Sequence, residues 1–164
     1  MESISSAAFA RNLAFGVQDA VVTTAGVLAA SSAVPGLDMF RAGLVSVVAS
    51  AFSMAIGSYQ SERGAELATA ENPADVHRGD MLGGAIVMFV SYLLTGLVVV
   101  APWRFARGRV AAWASLVAAA SLLAASAAFV SWNVPGAIVP NVAEMLALAA
   151  LAVVGSSALS RLAP

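Results

Sequence analysis

Gly16-Val17-Gln18-Asp19-Ala20-Val21-Val22-Thr23-Thr24 is a polar interruption in a stretch that is otherwise apolar from about Asn12 to Ala33. A bilayer-crossing helix takes ~20 residues, and this stretch is long enough. Asp19 is the one acidic residue well inside such a stretch. An ionised carboxylate costs roughly 2.5–3.5 kcal/mol at the bilayer centre on insertion scales, so Asp19 is a functional candidate by default. The rest of the chain has to say what it faces.

Composition places the chain in a membrane. Of its 164 residues 60% are hydrophobic and 10% charged, and the mean hydropathy is +0.89. Soluble domains carry about a quarter charged residues. No linker divides the sequence, so residues 1–164 read as a single membrane domain. The net charge is −1 and all 8 basic residues are arginine. No polybasic segment suggests nucleic acid. Cysteine is absent, which removes disulfides, zinc–thiolate sites and cysteine nucleophiles together. The N-terminal stretch has no basic n-region, and Asn12, Gln18 and Asp19 break its apolar part, so it does not read as a signal peptide.

Further apolar stretches follow. The turn Ser32–Asp38, with Pro35-Gly36, separates the first span (12–33) from the second (40–60). Polar residues begin at Tyr59 with no breaker before Asn72-Pro73, so a helix can run on out of the membrane through QSERGAELATAE. Residues 61–80 read as a short polar loop. The third span is 81–102, with Trp103 as an interfacial anchor and Arg104, Arg107 and Arg109 in the loop after it. The fourth is 110–132. Asn133-Val134-Pro135-Gly136 ends it, and Pro140-Asn141 opens the fifth, 141–160. The expected fold is an all-α bundle of five transmembrane helices with its termini on opposite sides. Small residues four apart (Gly16, Ala20, Thr24; Ala51, Ala55) suit close helix packing in lipid. With the N-terminus inside, arginines divide three inside to five outside, which the positive-inside rule reads the other way.

Depth pairs Asp19 with a second residue. Asp19 lies about six residues, ~9 Å, into the first span, and Met54 lies about as far from the end of the antiparallel second span. A carboxylate beside a thioether can serve as a way station for a divalent transition metal, since the softer sulfur favours iron, copper or similar ions over magnesium and calcium. Bland readings compete. An aspartate near an interface can be hydrated or cap a helix break, methionine is more often packing filler, and the Thr23 and Thr24 hydroxyls usually bond back to their own helix. Glu62 and Glu66 share a helix face. With Glu71, Asp75, His77 and Asp80 they can collect cations at the membrane mouth, although a solvated acidic segment is the plainer account. Glu144 reads as a residue near a helix N-terminus, where the dipole favours negative charge. No Gly-rich phosphate loop, Ser–His–acid set or HExxH is present, so no enzyme is expected.

The residues resemble a family. Gly16–Thr24 is similar to the first-helix motif of vacuolar iron transporter-like proteins, G-x-x-D-G followed by apolar and Thr residues. Ala51-Phe52-Ser53-Met54-Ala55-Ile56-Gly57-Ser58-Tyr59-Gln60-Ser61 resembles their second-helix motif, A-I-S-M-A-x-G-E-Y-x-S. Phe89-Val90-Ser91-Tyr92-Leu93-Leu94-Thr95-Gly96-Leu97, followed by Pro102, is similar to their third helix. The last two spans match in apolar character alone.

The resemblance implies a homodimer that moves ferrous iron or manganese out of the cytosol in exchange for protons. Its pathway would lie at the dimer interface, lined by Asp19 and Met54 from both copies, with no permanently bound cofactor. The partners implied are a second copy, the bilayer and the transported ion. It also puts the N-terminus and the 61–80 segment in the cytosol and the protein in the cell (inner) membrane. Candidate pathway or mouth residues are Gln18, Thr23, Ser46, Ser53, Ser58, Glu62 and Glu66. The chain departs from the family in four respects. The long glutamate-rich insert between helices two and three is missing, Ser46 and Ser58 stand where the family has glutamates, Ala20 replaces a glycine and Val99 a proline. The pore pair stays and the metal-collecting groups go. The competing expectation is therefore a non-transporting scaffold or partner-binding membrane protein on the same fold.

Overall fold

A computed structural model describes residues 6–32, 34, 36–69, 78–134 and 136–162. Among these residues the chain is helical, with α1 Ser6–Ser31, α2 Met39–Thr69, α3 Arg78–Val100, α4 Pro102–Phe105, α5 Gly108–Ser131 and α6 Ile138–Leu162. Five of the helices are long and apolar enough to cross a membrane. Being apolar nearly all round, they lack the polar stripe of a soluble surface helix.

The breaks fall where local chemistry sets them. Gly36, Gly108 and Gly136 take φ of 77°, 58° and 79°, a region open to glycine without a Cβ penalty. Asp38 precedes α2 and accepts the Arg41 amide at 3.1 Å, an N-cap bond. The α3–α5 connection, expected as a plain loop, contains the single turn α4, started by Pro102 at its first position. At 31 residues, α2 is ~46 Å long against a hydrocarbon core of ~30 Å. Its apolar part accounts for the crossing, and the helix runs on through residues 61–69 of the polar segment, the continuation that the sequence allows. No residue there stops the helix. Glu71, Asp75 and His77 lie outside the described residues. Glu144 is a turn further into α6 than expected, because the helix starts at Ile138 and has no acidic residue in its first turn.

Helix α3 is the most buried span and packs chiefly on α2 and α1, while α5 and α6 cover the other side of α1. The crossings are close because glycine lies at them. A Cβ at Gly16 would collide with Ser91 Oγ on α3, and one at Gly96 would sit 2.6 Å from the Val47 side chain on α2. Val21, Leu28, Val47, Val99, Val100, Ala119, Leu123 and Ala149 form the larger apolar core. Polar ties add to it. Ser115 Oγ donates to the Val99 carbonyl at 2.7 Å, joining α5 to α3. Asn141 Nδ2 donates to the Ala127 carbonyl at 3.0 Å and to Ser131 Oγ at 2.7 Å, joining α6 to α5. In lipid such interhelical bonds act together with small-residue packing to hold helices in register.

Candidate functional site

The site is framed by α1, α2 and α3. Two contacts fix the antiparallel register of the first two helices. Asn12 Nδ2 donates to Glu62 Oε1 at 3.1 Å near one end, and Leu28 lies against Gly43 near the other. Counting inward from either contact, Asp19 falls level with residues 52–55 of α2. Met54 is in that range. Its half-buried side chain packs on a cluster of Ala20, Ala51 and Tyr92, so α1, α2 and α3 all meet there.

Asp19 is half-buried and accepts a long hydrogen bond from Thr23 Oγ1 at 3.5 Å, one helical turn on. That spacing is the i, i+4 relation along one face. Tyr92 is fully buried. Its hydroxyl lies near Ser50 and Thr23, yet it has no hydrogen-bond partner of good geometry. A carboxylate and a thioether thus share one depth, and three hydroxyls lie within about a helical turn of them, on three helices. Buried polar groups are normally satisfied, so the free Tyr92 hydroxyl marks a place where an additional acceptor or donor would be welcome.

At the N-terminal end of the bundle, Glu62 meets Arg11 at 2.7 Å as well as Asn12. A Cβ at Gly84 of α3 would come 2.6 Å from Asn12 Nδ2 and 2.8 Å from Glu62 Oε1. Glycine there lets α3 close over the pair. Glu66, half-buried, is a turn further out. Asp80, in the first turn of α3, has a buried Oδ1 without a partner among the described residues, in a position the helix dipole favours for negative charge.

The other candidates scatter. Gln18 turns away from Asp19 and lines a cleft with Arg11, Phe129 and Trp132, between α1 and the end of α5. Adjacent residues on a helix point ~100° apart, which is enough to separate them. Ser46 and Ser58 are half-buried, and Ser53 is exposed. Of the small residues named above from sequence, Gly16, Ala20, Thr24 and Ala51 are buried inside the protomer and Ala55 is half-buried. Exposed small residues instead recur on α2 at Ala49, Ser53 and Gly57, beside Phe52 and Ile56. Sequence reasoning missed Tyr92, Ser50 and Asn12 as site residues. A tyrosine and an asparagine in apolar spans were a usable signal, since polar groups in lipid need partners.

Among the described residues, no three His, Asp or Glu side chains converge to hold a metal ion. One protomer therefore offers one carboxylate and one thioether at the Asp19 level. No protein-family model matches the chain, and no curated protein matches it.

Proposed function

We propose that the protein is a divalent-metal transporter, carrying ferrous iron or manganese out of the cytosol through a pathway lined by Asp19 and Met54 of two copies. The observation that carries this reading is the gathering of Asp19, Thr23, Met54 and the unpartnered Tyr92 hydroxyl within about one helical turn of each other. The carboxylate supplies charge, the sulfur supplies preference for softer ions, and proton uptake by Asp19 would release the ion. The resemblance in the first three helices supports the ion class and a cytosolic N-terminus in the cell membrane. A two-fold arrangement would supply the ligands one protomer lacks. The exposed Ala49–Ser53–Gly57 stripe on α2 allows the close helix approach such an arrangement needs.

The test is metal flux into proteoliposomes. Wild type should carry ferrous iron or manganese, Asp19→Ala should abolish flux, and Met54→Ala should weaken it. Equal flux in all three would overturn the proposal. The lack of a third acidic ligand among the described residues favours a second reading, a non-transporting membrane scaffold. Anomalous scattering from crystals soaked in manganese separates the two, since the scaffold reading predicts no peak between the Asp19 carboxylates.

A further inference from the structure

At the end of the bundle away from the N-terminus, a cleft of about 1040 Å³ opens between the start of α2 and the α4–α5 corner. Arg41, Arg104 and Arg107 line it, with Asp38 as the one acidic residue. Asp38 is committed to Arg41 at 3.3 Å. Arg104 and Arg107 form no ion pair among the described residues. Trp103 lines the same cleft with its ring, which packs on the apolar core behind it. Two unpaired guanidinium groups at one spot suit an anionic oxygen.

Two apolar cavities lie on the far side of Trp103. Trp103 also lines a crevice of about 260 Å³ between α1 and α5. That crevice shares Ala25, Leu116 and Val153 with an almost wholly apolar groove of about 430 Å³ between α1, α5 and α6. From Ala112 to Leu123 the track follows α5 for ~16 Å, close to one leaflet's share of a ~30 Å core. Phe105, 86% exposed, stands beside the arginines, as aromatic residues do at headgroup depth.

We infer that this track binds one anionic phospholipid, with its phosphate on Arg104 and Arg107 and an acyl chain along the α1–α5–α6 groove. Basic pockets between membrane helices hold lipid headgroups in this way. A soluble anion would use the mouth but leave the groove without purpose. A second copy set by a two-fold along the membrane normal would bring its own arginines to the same depth, and like charges repel. The site is independent of Asp19 and of any transport.

The full-length protein in neutral detergent is titrated with dioleoylphosphatidylglycerol, dioleoylphosphatidylcholine or sodium phosphate at matched ionic strength. Bound lipid is counted by native mass spectrometry and thermal stability is followed in parallel. Phosphatidylglycerol should be retained, one per chain, at least tenfold better than phosphatidylcholine, and inorganic phosphate should give little protection. Arg104→Gln with Arg107→Gln should weaken retention by about 25-fold, at about fivefold per arginine. Ala150→Phe, which fills the groove from an exposed position and leaves every arginine in place, should also weaken it several-fold. Equal retention of the two lipids overturns the inference. So does protection by inorganic phosphate equal to that by the lipid. If the double variant fails to fold, unchanged retention in Ala150→Phe overturns it.

Discussion

Glu62 on α2 holds Arg11 on α1 at 2.7 Å, 51 residues away in sequence, and the same carboxylate oxygen accepts from the buried Asn12 amide at 3.1 Å. The two bonds differ in weight. The Arg11 side chain is 64% exposed, and an exposed ion pair contributes ~0–1 kcal/mol. Asn12 is 3% exposed, and stranding a buried donor costs ~1–3 kcal/mol. Arg11→Ala should therefore change stability little, whereas Glu62→Ala should destabilise by ~1–3 kcal/mol. Glu62→Gln, which keeps an acceptor for Asn12, should fall between them. Denaturant unfolding in micelles ranks the three, and a larger loss for Arg11→Ala than for Glu62→Ala would reverse the assignment.

The α1–α3 crossing predicts a coupled pair. Gly16→Ala drives a methyl into Ser91 Oγ, and overpacking of this kind costs ~1–3 kcal/mol. Ser91→Ala removes the obstructing oxygen, and the bond lost with it, to the Met88 carbonyl of the same helix at 3.1 Å, is local. The double variant should regain at least half of the loss. Additive effects would mean that the helices separate elsewhere instead.

Much of the scaffold was legible because lipid simplifies the problem. Apolar length fixed the spans, and Pro-Gly turns separated α1 from α2 and α5 from α6. Depth alone set Asp19 level with Met54, since a short turn makes two long helices antiparallel. What stayed hidden was rotation about each helix axis. With apolar residues on every side, α1 carries little periodic signal to say that Asp19 turns toward Tyr92 while Gln18 turns toward Trp132. The Glu62–Asn12–Gly84 junction depended on that same rotation, and so did the face of α2 left exposed. The one-turn α4 was hidden for another reason, because four residues carry no period to detect.

The dimer reading places the exposed α2 stripe at a two-fold axis. The natural chain has no cysteine, so a single engineered thiol reports on proximity without background. Ser53→Cys should form a disulfide dimer in membranes under mild oxidation, because bridging needs Cα atoms within ~7 Å. Leu151→Cys on α6, at a position 69% exposed, should remain monomeric. Cross-linking of the α6 variant in preference to the α2 variant would move the interface to the opposite side of the protomer and take Asp19 away from it.

Tyr92 separates a structural from a functional account of the interior. If its hydroxyl merely sits among Ser50, Thr23 and Asp19, it is a buried polar group without a partner, and such a group destabilises the fold. Tyr92→Phe deletes that one oxygen and preserves the ring packed on Ala20 and Ala51. Stability should then stay level or rise by ~1 kcal/mol. If the hydroxyl serves the ion or the Asp19 carboxylate, the same variant should lose flux while remaining as stable as wild type. Thr23→Val tests the neighbouring contact, removing the 3.5 Å bond to Asp19. At that length the bond is weak, so the valine should cost less flux than the phenylalanine. Loss of stability in Tyr92→Phe would show that the hydroxyl is bonded within the fold, and unchanged flux in a stable variant would remove it from the pathway.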